Sequence, residues 1–212
     1  LEHEVFHILE RKLKMEEIIK KDLAESLKVK EMFIRENVAS LILLAERIAL
    51  AFTGDCKLLI CGNGGSAADA QHIAAEFVNR YTLERPPLPA MALTTDTSVI
   101  TSIGNDYSFD DIFSKQVKAL GMEGDILLCI STSGNSKNVL SAVRDARSQG
   151  MYTAGLIGYK GGELAKLVDL ALVVKSNATP RIQESHILAG HIICRLVDYI
   201  IFQRHLPEEL GE

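Results

Sequence analysis

Between Glu16 and Phe33 the apolar residues Ile19, Leu23 and Leu27 recur at helical intervals with charged residues elsewhere, the pattern of an amphipathic helix. A second stripe, Val38, Leu41, Ile42, Ala45, Ile48, Ala49 and Phe52, steps by three and four and stops at Gly54, which predicts a second helix ended by glycine. Beyond it the pattern changes. Short continuous apolar runs, KLLIC at 57–61, AMAL at 90–93, DILLCI at 125–130, TAGLIG at 153–158 and LALVV at 170–174, alternate with helical stretches. Runs of this kind suit parallel strands covered on both faces, and their alternation with helices signals βαβ units. The expected fold is α/β, a three-layer α/β/α sandwich with a five-stranded parallel sheet in flavodoxin-like order, preceded by N-terminal helices. Such a sheet presents ligand sites at the carboxyl ends of its strands. A last helix is expected from Thr179 as cap and Pro180 at its first position through the apolar run ending at Phe202.

The chain has 212 residues and a formal net charge of −5. It offers no basic field for a nucleic-acid backbone, so no nucleic-acid partner is expected. Cys56, Cys61, Cys129 and Cys194 show no metal or redox spacing, which fits a reducing compartment. The apolar segment 187–202 carries His191, Arg195 and Asp198 and reads as a buried helix, so no membrane partner is expected. LEHEVFHILERKLK at 1–14 lacks the features of an export signal, and the expected location is the cytoplasm. Met15 reads as a natural start. Residues 1–14 are expected to be an addition, and 15–212 a single domain with a helical extension.

Two loops leave predicted strands with unusual chemistry. ISTSGNSKNV at 130–139 gathers Ser131, Thr132, Ser133 and Ser136 around Gly134 at a helix start. Unpaired backbone N–H groups, the helix dipole and hydroxyl donors together suit a phosphate monoester. Capping alone would employ one of these hydroxyls. CGNGGSAADA at 61–70 has neither the Walker lysine nor the full dinucleotide spacing. Its Asn63 and Gly64 are placed to line a ligand, although glycine there could also serve only a tight turn.

On the following helix His72 and Glu76 stand four residues apart and share a face. The pair can hold a divalent metal or supply a general base, and a solvated face is the plain alternative. Gln183 and His191, eight residues apart on the last helix, fall on one side of it, while His186 points elsewhere and reads as structural.

CGNGGSAADAQHIAAEF, LTTDTSVITSIGNDYSFDDIFSKQV, ISTSGNSKNV and PRIQESHILAGHI, in that order, resemble the phosphoheptose isomerases of the sugar isomerase (SIS) domain superfamily. The resemblance runs from about Met15 to the C-terminus. It implies a homotetramer with active sites at subunit interfaces, interconverting sedoheptulose 7-phosphate and glycero-manno-heptose 7-phosphate for nucleotide-activated heptose and surface glycans. It further implies one zinc ion held by His72, Glu76, Gln183 and His191, with Glu76 as base and His191 as acid. The substrate contacts it implies fall on Asn63, Gly64, Gly65, Asn105, Asp106, Ser131, Thr132, Ser133, Ser136 and Gln183. Some relatives in the superfamily instead bind the bacterial replication initiator without catalysis, and that is the competing expectation.

Overall fold

The computed structural model describes residues 2–203, with side chains from Glu10 onward. Strands β1 (Leu58–Gly62), β2 (Ala90–Ala92), β3 (Ile126–Ser131), β4 (Tyr152–Gly158) and β5 (Leu170–Val174) form one sheet in the order β2-β1-β3-β4-β5. Every pairing is parallel. The three central strands are almost wholly buried, as a sheet covered on both faces requires. The expected three-layer sandwich and its flavodoxin-like order are therefore present.

Helices α1 (Glu2–Thr53), α2 (Gly65–Val78) and α7 (Thr179–Asp198) cover one face. Helices α3 (Thr97–Asp106), α4 (Ser114–Leu120), α5 (Lys137–Ser148) and α6 (Leu164–Leu167) cover the other. Each layer buries its own apolar cluster against the sheet, the first around Phe33, Phe77 and Ile193, the second around Phe113, Val143 and Ile157. Full burial of one such side chain contributes about 1.5–3 kcal/mol.

The two expected N-terminal helices are one continuous helix. The linking residues Ile34, Arg35 and Glu36 include no glycine or proline to break it. Asn37, which could have started a new helix, donates its amide N–H to the Phe33 carbonyl at 2.8 Å, inside the same helix. Gly54 does stop α1, its N–H returning to the Leu50 carbonyl. Thr179 is likewise the first residue of α7 rather than its cap; Ala178 holds the cap position, with no side-chain hydrogen bond, and Pro180 is the second helical residue rather than the first.

By length and composition α7 with the single π turn after it (Tyr199–Gln203) could cross a membrane. It packs instead between α1, α2 and the sheet, with Arg181, His186 and Asp198 buried along it, so it is a core helix. At the opposite, amino-terminal edge of the sheet, buried Asp125 accepts from the Lys57 and Met122 backbone N–H groups at 2.8 Å each and pairs with the Lys57 ammonium.

Candidate active site and metal centre

Helices α2 and α7 lie side by side and meet at three levels. At the start of α2 the Gln183 amide occupies the space a Cβ on Gly65 would take. Midway, a Cβ on Gly190 would fall 2.6 Å from Ile73 Cδ1, so the Ile73 side chain packs directly on the α7 backbone there.

At the level just past that contact, three donor atoms converge. His72 Nε2 lies 3.1 Å from Glu76 Oε1 and 3.1 Å from His191 Nε2. The ligand atoms of all three residues fall within 4.8 Å of one another. One imidazole nitrogen cannot satisfy both neighbours with a single proton, whereas tetrahedral donors at about 2.0–2.1 Å from a zinc ion stand roughly 3.3 Å apart. The donor set, two imidazoles and a carboxylate, is that of a catalytic zinc site with a position left open. The residues present therefore fit the metal. Gln183 stands about two turns nearer the start of α7, and among the described residues it shares no hydrogen bond with the three.

The surroundings contain groups the sequence did not single out. Tyr81 stacks on His191 with ring centroids 5.6 Å apart, fixing the plane of that imidazole. Asp69, one turn before His72, has Oδ2 buried without a partner; burial pushes its pKa up to about 6, opposed by the His72 charge. The spacing D-x-x-H was a usable signal for it.

The serine loop stands at the carboxyl end of β3. Ser131 Oγ accepts from the Gly134 N–H at 3.1 Å and lies 3.4 Å from Ser136 Oγ, while Ser133 Oγ accepts from the Asn135 N–H at 3.1 Å. Ser136 occupies the cap position of α5 without a side-chain capping bond, so its hydroxyl remains for other work. A second loop clasps this one from below. The Leu164 N–H donates to the Gly134 carbonyl, the Glu163 N–H donates to Asn135 Oδ1, and Tyr159, Gly161 and Gly162 all take positive φ to make the approach.

Asn63 and Asn138 join the serine loop to the glycine loop through reciprocal amide bonds, both 2.9 Å. That leaves one amide N–H and one carbonyl lone pair of Asn63 for a ligand. Gly64, with φ 55°, caps α2. Asn105 and Asp106 end α3, exposed and bonded to each other at 2.8 Å. No contact within the described chain carries them to the His72 cluster, whereas Asn63, Gly65 and Gln183 link the serine loop to the α2–α7 seam.

Comparison with known proteins agrees with this arrangement. The SIS domain family model matches residues 23–158. Among curated proteins, a phosphoheptose isomerase from Nitratidesulfovibrio vulgaris (strain Hildenborough) is 53% identical over 189 residues, covering 89% of this chain and 91% of that protein. One from Sulfurimonas denitrificans is 51% identical over 190 residues, covering 89% and 97%. The chain belongs to the phosphoheptose isomerases of the SIS domain family. Solved phosphoheptose isomerases superpose closely. The Neisseria gonorrhoeae structure gives a TM-score of 0.82 at 46% identity, covering 87% of this chain and 98% of that one, and the Francisella tularensis structure 0.81 at 41%, covering 86% and 97%. As a phosphoheptose isomerase the chain is an aldose–ketose isomerase, and the initiator-binding alternative is not favoured.

Proposed function

We propose that this chain interconverts sedoheptulose 7-phosphate and D-glycero-D-manno-heptose 7-phosphate, supplying heptose for nucleotide activation and surface glycans. The observation that carries the reading is the convergence of His72, Glu76 and His191 at one end of α2, with an anion-suited serine loop tied to its other end. A seven-carbon chain phosphorylated at one end and reacting at the other spans that separation, which is about 10 Å along α2 from Gly65 to His72.

The phosphate is held by Ser131, Thr132, Ser133 and Ser136 at the start of α5. Asn63, Gly64, Gly65 and Gln183 line the chain of hydroxyls, and Asn105 and Asp106 complete the pocket across a subunit boundary. Isomerisation of the ketose needs a proton removed from C1 and one delivered to O2, giving an enediol, then a proton removed from O1 and one returned to C2. Glu76 takes the carbon proton and gives it back at C2. His191, its ring plane set by Tyr81, delivers and withdraws the oxygen protons. His72, Glu76 and His191 would hold a zinc ion, which supplies polarisation of the carbonyl when bound; Gln183, which the resemblance counted as a fourth ligand, lies instead against Gly65 at the start of α2.

The assembly is a homotetramer, supported by the exposed apolar residues Met15, Ile18, Ile19, Leu23 and Leu27 along α1, apolar exposure of the kind that marks an interface. Residues 15–212 form the SIS domain with its helical extension. The location is the cytoplasm. Replacing the base tests the chemistry: Glu76→Gln should abolish turnover of sedoheptulose 7-phosphate while circular dichroism stays unchanged, and near-normal turnover in that variant would refute the assignment.

A further inference from the structure

Arg85 belongs to none of the motifs that point to the site. It lies in the connection between α2 and β2, yet its side chain is 1% exposed and that of its partner Asp198 4%. Nε donates to Asp198 Oδ1 at 2.9 Å, Nη2 to the Glu76 carbonyl at 2.9 Å, and Nη1 to the Phe77 carbonyl at 2.7 Å and the Pro86 carbonyl at 3.1 Å. The last carbonyls of a helix have no intrahelical partner and carry its negative dipole end. Arg85 therefore closes the end of α2 at the residue whose carboxylate belongs to the donor cluster.

The other end of the same guanidinium reaches α7. Asp198 is seven residues after His191, two turns along nearly the same face. The direction in which Arg85 holds Asp198 is thus the direction in which His191 presents its imidazole. One residue before His191, Gly190 packs against Ile73. The donor cluster lies between this contact of the Ile73 side chain with the α7 backbone and a rigid, planar cross-link. Rotation of α7 about the first would swing His191 away from His72 and Glu76, and the second opposes it.

We propose that Arg85, with Asp198, is a positioning residue for the metal centre, fixing the separation of Glu76 on α2 from His191 on α7. The proposal rests on the reading of His72, Glu76 and His191 as metal ligands. A planar fork is needed because its donors leave in fixed directions, toward a carboxylate on one side and helix-end carbonyls on the other; a lysine ammonium is a point charge on a flexible stem and cannot reproduce that set. A merely stabilising ion pair would serve equally well anywhere, and the molecule contains one at the far edge of the sheet, Lys57 with Asp125.

The test uses the full chain, stripped with chelator and titrated with zinc against a chromophoric competitor. Arg85→Lys, Asp198→Asn and the remote Asp125→Asn are compared with the unaltered protein, and melting temperatures are recorded for all four. Arg85→Lys keeps the cation and covers the case in which Asp198→Asn does not fold. Loss of outer groups that orient metal ligands weakens binding by roughly 10–100-fold. Arg85→Lys and Asp198→Asn should show that loss, while Asp125→Asn lowers the melting temperature and leaves zinc affinity within about twofold. Unchanged affinity in the first two, or an equal loss in Asp125→Asn, would overturn the positioning role alone. Absence of stoichiometric zinc binding by the unaltered chain would overturn the metal-site reading beneath it.

Discussion

His191 Nε2 lies 3.1 Å from His72 Nε2 across the seam of α2 and α7. Two basic nitrogens at that distance, with the Glu76 carboxylate against the same imidazole, need a shared proton or a shared cation. A cation satisfies all three at once. Zinc should therefore stabilise the folded chain. At free zinc one hundred times the dissociation constant the gain is about 2.7 kcal/mol, or roughly 5–10 °C in melting temperature for a domain of this size. His72→Ala should abolish the shift in a calorimetric scan of chelator-stripped protein with and without zinc; an equal shift in the variant would show that the metal binds elsewhere.

If the serine loop holds the phosphate as proposed, the clasp beneath it should act on binding rather than chemistry. Gly162 has φ +58°, and a Cβ there would lie 2.6 Å from the Gly134 carbonyl oxygen and 2.7 Å from Asn135 Oδ1. Gly162→Ala should push the serine loop off its position and raise KM for the sugar phosphate by about tenfold, 1.4 kcal/mol, with kcat little changed. Steady-state kinetics decide it, since a fall in kcat at constant KM would place the loop in the chemical step.

The five strands were legible because continuous apolar runs between helical stretches admit few other readings, and the parallel order followed from their alternation. The unbroken α1 was not, because Asn37 reads as a helix start until its amide is seen bonded to Phe33. Within the site, the His72 and Glu76 pairing was visible as an i, i+4 spacing. That His191 meets them is a property of how α2 and α7 pack, which no local pattern carries. Arg85 and Tyr81 sit in a segment that reads as a polar connection, and Asn138 is hidden within the serine motif, so their long-range bonds to Asp198, His191 and Asn63 had no local signature.

His186 sets an acid limit on stability. It is fully buried on α7 with neither ring nitrogen in an ordinary hydrogen bond. Burial pulls its pKa down to about 4, opposed by the nearby Ile157 backbone. Between about pH 6.5 and 4 the unfolded chain binds a proton that the folded chain refuses, so this residue's contribution is complete above that window and is lost as pH falls through it, by an amount of order 3 kcal/mol. Asp69, raised to about 6, works in the opposite sense, its carboxyl favouring the folded state at low pH. The difference in denaturant stability between the unaltered chain and His186→Leu isolates the histidine. That difference should shift by a few kcal/mol across the window, and a constant difference would mean that His186 can be protonated in place.

Assembly should depend on the exposed face of α1. Leu23 and Leu27 are 59% and 58% exposed and one turn apart, and paired Leu23→Glu and Leu27→Glu changes place like charges in that face without touching the core. Light scattering after gel filtration should show a smaller particle with unchanged helicity. A mass identical to that of the unaltered protein would assign the interface to another surface.

The most direct test is a crystal structure of the purified chain with sedoheptulose 7-phosphate, with diffraction recorded on both sides of the zinc edge. An anomalous peak about 2.0–2.2 Å from His72, Glu76 and His191, with the sugar's phosphate on the Ser131–Ser136 loop and its carbonyl end toward Glu76, is the expected result. A sugar phosphate bound away from that loop, or three side chains dispersed with no metal among them, would contradict it.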